Sequence, residues 1–243
     1  MEMGFHHNAV WPQQHWSAPI IRTVTSAAGR NFEGNCRDID RLLQIHQTEG
    51  GADRGRRVRL EVLNKSAIVL LTAFWEAYCE DVAGEALEYI VRHTKDAGGL
   101  PQDLRKAVAK ELKEEPHELA VWRLADTGWR TELASRLTAL KEKRDRQLNT
   151  PKTQQIDDLF KQALGISDLP KSWRWQRMSA RRAGGKLDEF VELRGSIAHR
   201  GHGAAGVLKS QVEEYYDHVK HLVEKTDARV RDAIQATTGR VPW

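Results

Sequence analysis

Cysteine is scarce in this sequence, with only Cys36 and Cys79 among 243 residues. Two thiols cannot build a disulfide framework or a zinc site of their own, and such sparse usage fits a reducing cytoplasm. Long apolar runs are also missing, because the longest, residues 67–75, falls well short of the roughly 20 residues that span a bilayer. The amino end lacks the basic and apolar segments of a secretory signal. We therefore expect a cytoplasmic protein without a transmembrane helix.

The motifs that identify several common enzyme classes are absent as well. There is no nucleophile elbow, P-loop or paired-cysteine motif. Gly201, Gly203 and Gly206 match a dinucleotide-binding fingerprint, but a predicted helix precedes them where that motif needs a strand, which favours a flexible connector. His218 and His221 are spaced for one helix face, yet no third metal ligand is evident. The sequence thus predicts neither a cofactor nor a metal site.

Alternating strand patterns are missing too, whereas apolar residues recur three and four positions apart from about Phe32 onward. This spacing predicts an all-α fold. One long predicted helix has apolar residues on several sides, which is typical of a helix at the centre of a core. Helices are predicted over about 27–47, 56–93, 101–114 and 207–234. A further helix is opened by Pro116, another lies between Pro151 and Gly165, and another follows Gly184 and Gly185 and ends near Gly201.

The glycine and proline residues between the predicted helices also indicate how the chain is organised. Residues 101–147 are dense in charge and are bounded by glycine, proline and asparagine, so we interpret them as an inserted helical region. This region would interrupt a helical domain over 27–237. An extension over 1–26 would precede that domain, and a tail over 238–243 would follow it.

Charge is unevenly placed along the chain. The net charge is +4, but residues 171–186 hold six basic residues and no acidic one, so the remainder sums to −2. Such a local field attracts polyanions. Trp173 and Trp175 interleave with these cations, a pattern that suits base stacking beside phosphate contacts, with core tryptophans as the alternative. The predicted RNA contacts are Arg174, Arg177, Arg181, Arg182 and Arg200.

A second group of arginines lies at the predicted start of the second helix, where the helix dipole disfavours cations. These residues either bind phosphate or are simply solvated, and the sequence favours neither interpretation. They are Arg54, Arg56, Arg57 and Arg59.

Cations and imidazoles also alternate at the carboxyl end of the predicted 185–201 helix, as Arg194, His199, Arg200 and His202. A guanidinium can hold a phosphate through two hydrogen bonds, and an imidazole can move protons near neutral pH. Such groups suit RNA cleavage, in which the neighbouring 2′-hydroxyl is an internal nucleophile and no metal is needed.

Helix geometry limits this interpretation. Arg194 and His199 are five residues apart, about 500° of helix rotation or 140° net, so they do not share a face of an ideal helix. The alternative is that Arg194 pairs with Glu189 or Glu192, and that the histidine is favoured at the helix end by the dipole.

Residues 192–199, Glu-Leu-Arg-Gly-Ser-Ile-Ala-His, resemble the arginine–histidine motif of the HEPN superfamily, and more narrowly that of the RiboL-PSP-HEPN group. Two upstream stretches are similar to the same group: residues 73–80, which contain Glu76, and residues 149–166, which are followed by Trp173. Because Trp173 coincides with this block, the resemblance favours a core position for it, while Trp175 stays open. The three blocks occur in order and together touch about 60–223.

This resemblance implies a HEPN-type helical bundle and a metal-independent endoribonuclease that leaves a 2′,3′-cyclic phosphate. By position, Arg194 would stabilise phosphate charge and His199 would act as acid or base. Glu76, Ser196 and His202 are supporting candidates, although Glu76 has the alternative interpretation of a surface glutamate.

The resemblance further implies a homodimer with a composite cleft. It suggests a toxin or antiviral-defence role, with an antitoxin or other regulatory partner. One departure from the group is Gly195, since the residue after the arginine is usually polar there. A non-catalytic HEPN module that binds RNA or a protein therefore stays as the alternative.

Overall fold

The computed structural model describes residues 25–50, 60–147, 150–200 and 206–243. Across these ranges the chain is helical and contains no β-sheet, which confirms the prediction of an all-α fold. None of the helices described there combines the length and the apolar character that a membrane crossing requires. The helices are α1 (Ala27–Gly50), α2 (Glu61–His93), α3 (Gln102–Glu114), α4 (Gly128–Gln147), α5 (Thr153–Leu164), α6 (Ala180–Arg200) and α7 (Lys209–Thr238).

Helix α2 is the centre of the bundle, as its many-sided apolar pattern predicts. It packs against α1, α4, α5, α6 and α7. Its side chains are buried on several faces, including those of Ile68, Leu71, Trp75 and Cys79. Because one helix contacts five others, the sides of α2 organise the core and fix the positions of the helices around it.

Trp173 is fully buried, which confirms the predicted core position. Its ring meets that of Trp75 edge to face, with centroids 5.9 Å apart. Its indole N–H donates a hydrogen bond to the hydroxyl of Thr226 over 2.9 Å. A buried tryptophan needs such a partner for its N–H, so this bond ties the segment before α6 to α7.

The start of α1 is anchored by two carboxylates from other helices. Asp227 on α7 accepts hydrogen bonds from the Ser26 backbone N–H, the Ser26 hydroxyl and the Tyr78 hydroxyl. Glu85 on α2 accepts from the backbone N–H groups of Ala27 and Ala28. Negative charge at a helix amino terminus is stabilising because it satisfies N–H groups that lack helical partners.

The chain between α2 and α5 differs in part from its prediction. Pro116 opens no α-helix; a 3-10 turn covers Ala120–Leu124 and α4 begins only at Gly128. Between them Asp126 adopts a left-handed backbone conformation with φ 50°, which ends one helical segment before the next begins. Buried side chains of α3 and α4 join the same core cluster as α2, and the division into domains stays a prediction.

Helix α6 begins at Ala180, about six residues earlier than the sequence predicts. Gly184 and Gly185 lie inside it, because Ser179 caps the amino end: its carbonyl accepts from the Ala183 N–H and its hydroxyl from the Arg182 N–H. The absence of a side chain at Gly184 also lets Thr153 approach, since a Cβ there would lie 2.9 Å from the Thr153 hydroxyl oxygen. Gly184 therefore allows close packing of α5, and neither glycine interrupts the helix.

Candidate functional site

Helix α6 carries the predicted motif and is fixed along its length by α5 and α7. On the α5 side, Asp188 accepts from the Thr153 N–H over 2.7 Å, and the Thr153 hydroxyl donates to the Gly184 carbonyl over 3.0 Å. On the α7 side, the Ala183 carbonyl accepts from His218 Nε2 over 2.9 Å. These bonds hold the register and rotation of α6, and hence the direction of every motif side chain.

Arg194 is half-buried and faces the core. Its guanidinium lies close enough to Glu76 of α2 to lower the pKa of that carboxyl. Burial acts more strongly in the opposite direction, so the net effect raises the pKa of Glu76 from its ordinary value of 4.5 to about 7. Glu76 is half-buried and lies near the motif arginine. It is therefore not the fully exposed surface glutamate of the alternative interpretation.

The same guanidinium influences Tyr215 of α7, whose pKa is raised by burial and lowered in part by Arg194. Tyr215 is fully buried, and its hydroxyl lies 3.0 Å from that of Thr72. Because the Thr72 hydroxyl donates to the Ile68 carbonyl, Tyr215 donates to Thr72. No sequence pattern singles out Thr72 or Tyr215, since both occupy ordinary core positions of their helices.

His199 lies on the other side of α6 from Arg194. Its side chain is exposed, whereas Ile197 is buried and Ser196 is half-buried. The 140° separation expected between Arg194 and His199 in a helix is therefore retained. The fold of one chain turns the arginine towards α2 and α7 and the histidine towards solvent.

Glu189 and Glu192, the alternative partners of Arg194 predicted from the sequence, are both exposed. Glu192 forms an ion pair over 2.7 Å with Lys152, the residue just before α5. One carboxylate near the motif arginine, that of Glu76, comes from α2, a relationship that spacing within α6 could not reveal.

The basic segment occupies the end of α6 opposite the motif. Twelve residues separate Arg182 from Arg194, which corresponds to about 18 Å along a helix axis. Lys171 pairs with Asp168, and Lys186 pairs with Glu214. Four exposed arginines make up the rest of the segment, namely Arg174, Arg177, Arg181 and Arg182.

His218 and His221 of α7 make separate contacts. His218 uses Nε2 to donate to the Ala183 carbonyl, and burial lowers its pKa to about 4. His221 stacks on Trp175, with ring centroids 4.8 Å apart and 22° between the planes. In the part of the chain that the structure describes, no cluster of three or more histidine, cysteine or acidic side chains is arranged to hold a metal ion.

Several predicted residues lie outside the described part of the chain. His202 and most of the 201–206 glycine motif fall there, as does the side chain of Arg200. The same holds for residues 1–24 of the predicted extension. The arginine group at Arg54, Arg56, Arg57 and Arg59 also lies outside the described residues.

Comparison with known families gives one match. A family model described as RiboL-PSP-HEPN matches residues 31–232, a range that begins in α1 and ends in α7. No curated protein and no solved structure matches the chain.

Proposed function

The chain belongs to the RiboL-PSP-HEPN family, and from this premise we propose that it is a metal-independent endoribonuclease in which Arg194 and His199 carry the chemistry. One observation supports this proposal most directly. Arg194 is held half-buried beside Glu76, while His199 of the same helix is exposed to solvent. A positioned cation and an accessible imidazole are the two groups that phosphodiester cleavage by an internal nucleophile requires.

In the proposed reaction the 2′-hydroxyl oxygen attacks the adjacent phosphorus and the bond to the 5′-oxygen breaks. A base removes the 2′ proton, and an acid protonates the departing 5′-oxygen, which leaves a 2′,3′-cyclic phosphate and a 5′-hydroxyl. An imidazole serves as base or acid according to its protonation state. The Arg194 guanidinium stabilises the negative charge that builds on the phosphoryl oxygens.

The proposal includes a homodimer with a composite cleft. Because Arg194 and His199 point about 140° apart on α6, one chain does not direct both at a single phosphate. A second copy that packs motif helix against motif helix would bring an arginine and a histidine from different chains together. In the cell we propose a cytoplasmic toxin or antiviral-defence effector that cleaves RNA and is restrained by an antitoxin or other regulatory protein.

A second candidate is a non-catalytic module that binds RNA or a protein. Gly195 favours it, because this position next to Arg194 carries no side chain that could assist a phosphate or a histidine. Under this alternative the dimer and the basic surface would still form, but no strand would be cut. His199 would then contribute little to RNA affinity.

The test is cleavage of a mixed-sequence single-stranded RNA in EDTA, with the 3′ end of each product identified. We expect cyclic phosphate ends from the wild type and a loss of at least about 100-fold in rate for His199→Ala and Arg194→Ala. His117→Ala and Arg92→Ala are matched controls, since both residues are exposed and far from α6 in sequence. They should cleave like the wild type.

Two results would contradict the proposal. Products that carry only a 3′-hydroxyl, or cleavage that depends fully on magnesium, would exclude the 2′-hydroxyl mechanism. RNA binding by the wild type and by His199→Ala with equal affinity, and with no turnover by either, would favour the non-catalytic module.

A further inference from the structure

A tight turn before α6 presents cations and aromatic rings on one surface. Trp175 and Met178 close the turn by exchanging two backbone hydrogen bonds, of 3.2 Å and 2.9 Å. The Trp175 ring then stacks on His221 of α7. Arg182, in the first turn of α6, reaches back so that its Nη1 lies 3.5 Å from the Arg177 carbonyl oxygen. The turn, the start of α6 and the middle of α7 thus form one continuous surface.

We call this the arginine–tryptophan surface, and its residues are Arg174, Trp175, Arg177, Arg181, Arg182 and His221. Neighbouring acids offset its charge only in part. Three of them pair with lysines, as Asp168 with Lys171, Glu214 with Lys186 and Asp217 with Lys220, while Glu224 contacts both Lys225 and the His221 ring. Within the described residues, the side chains of Arg177 and Arg181 take part in neither a hydrogen bond nor an ion pair. All four arginines of the surface are exposed to solvent.

Two features of this surface are unfavourable for the stability of the fold, so stability does not explain why they are present. Arg177 has a left-handed backbone conformation, with φ 62°, which a residue with a Cβ rarely adopts. Arg181 and Arg182 occupy the first turn of α6, where the helix dipole repels cations and no acidic residue is present. Backbone strain and uncompensated charge of this kind concentrate at ligand-binding sites.

We propose that the arginine–tryptophan surface is a subsite for single-stranded RNA, separate from the motif and at the opposite end of α6. The guanidiniums hold successive phosphates, and the half-exposed His221 ring, supported from behind by Trp175, stacks on a base. Single strands suit this arrangement because their bases are free to stack on aromatic side chains. The part of this inference that concerns cleavage rests on the proposed function, whereas the binding part does not.

The distance along α6 gives the subsite a length requirement. Arg182 lies about 18 Å from Arg194 and about 26 Å from His199 along the helix axis. A stacked strand advances about 3.4 Å per nucleotide, so roughly five or more nucleotides connect the two sites. An RNA shorter than this can occupy only one of them at a time.

Binding is measured first, with a labelled 12-nucleotide 2′-O-methyl RNA that lacks the nucleophilic hydroxyl and cannot be cut by the proposed mechanism. We expect Arg181→Ala with Arg182→Ala to weaken binding about tenfold. The slope of log affinity against log salt should fall by about 1.4, since each single-strand phosphate contact contributes about 0.7. Lys106→Ala with Lys110→Ala removes the same charge from the exposed face of α3 and should leave both values unchanged.

Base stacking is tested with His221→Ala and with an abasic strand of equal length. We expect His221→Ala to weaken binding of the base-containing strand about tenfold and to leave the abasic strand unaffected. Equal loss for both strands, or no loss for either, overturns the stacking contact. Unchanged RNA affinity and salt slope in the double arginine variant overturn the whole subsite. This holds even if an acidic vesicle or a protein is found to bind the surface in place of RNA.

Substrate length separates this inference from the proposed function. For a cleavable 12-nucleotide RNA we expect the double arginine variant to raise KM about tenfold with kcat nearly unchanged, and for a trinucleotide we expect no change in either. An equal effect on both lengths overturns the separation of the two sites. If neither RNA is cut but the binding results hold, the proposed cleavage fails and the RNA subsite stands.

Discussion

The carboxyl of Glu76 on α2 lies beside the guanidinium of Arg194 on α6, and its pKa is about 7. Burial raises this pKa, and the arginine lowers it only in part. Near neutral pH the carboxyl is therefore divided between its neutral and ionised forms. The charge next to the motif arginine changes within the range in which an RNA-cleaving imidazole would also work.

We expect Glu76→Gln to change how stability depends on pH. The folded state favours the protonated carboxyl, so the contribution of Glu76 is fully present below about pH 4.5 and is lost as pH rises through about 7. A glutamine has no such dependence. Relative to the variant, the wild type should lose roughly 2 kcal/mol of unfolding free energy between pH 4.5 and pH 8. Urea unfolding at several pH values measures this difference.

Glu88→Gln is the control, because it changes an exposed carboxyl on the same helix. It should show the pH dependence of the wild type. If Glu76→Gln also follows the wild type across this range, the raised pKa of Glu76 is wrong.

The spacing of apolar residues was enough to predict most of the helices and the central place of α2, because a helix that contacts several neighbours must be apolar on several sides. The core position of Trp173 was predicted from the family resemblance. The start of α6 was missed because glycine usually weakens helices, whereas here Gly184 allows Thr153 to pack closely. A tertiary contact overrode the local preference.

The candidate site could be predicted only where it is local in sequence. Arg194 and His199 belong to one helix and were selected together. The partnership of Arg194 with Glu76 joins residues more than a hundred positions apart, so it depends on how α2 and α6 pack. The distance between the basic segment and the motif could likewise be stated only once α6 was known to begin at Ala180 and to carry Arg181 and Arg182 at one end and the motif at the other.

The bond between Trp173 and Thr226 gives a second prediction. Thr226→Val keeps the size of the side chain but leaves the buried indole N–H without its acceptor. An unsatisfied buried donor costs about 1 to 3 kcal/mol, so we expect a loss of that size in thermal or urea unfolding. The comparison is Thr138→Val, which changes an exposed residue of α4 and should lower the free energy of unfolding by less than about 0.5 kcal/mol. Equal effects of the two substitutions would contradict a stabilising role for the bond.

His218 predicts acid sensitivity of the fold. Its ring is buried and its pKa is lowered to about 4, so the unfolded chain takes up the proton more readily than the folded one. The stability contributed by neutral His218 is present above about pH 6.5 and is lost as pH falls towards 4. His218→Gln can still donate to the Ala183 carbonyl and does not titrate. We expect it to reduce the loss between pH 6.5 and 4 by roughly 2 to 4 kcal/mol, whereas exposed His117→Gln should not.

Substitutions at Gly195 test the stability of α6 and the proposed catalysis separately. A Cβ built at Gly195 or at Gly185 meets no other atom within 4 Å, so Gly195→Ala and Gly185→Ala should each stabilise the fold by about 0.5 to 1 kcal/mol through lower chain entropy.

Gly195→Asn adds a hydrogen-bonding side chain beside Arg194, as the resemblance to active family members suggests. We expect it to cleave RNA several-fold faster than Gly195→Ala, with Gly185→Asn as the control for an added amide elsewhere on α6. Equal rates for the alanine and asparagine variants at 195, measured with the same RNA in EDTA, would mean that the missing side chain is not what limits activity.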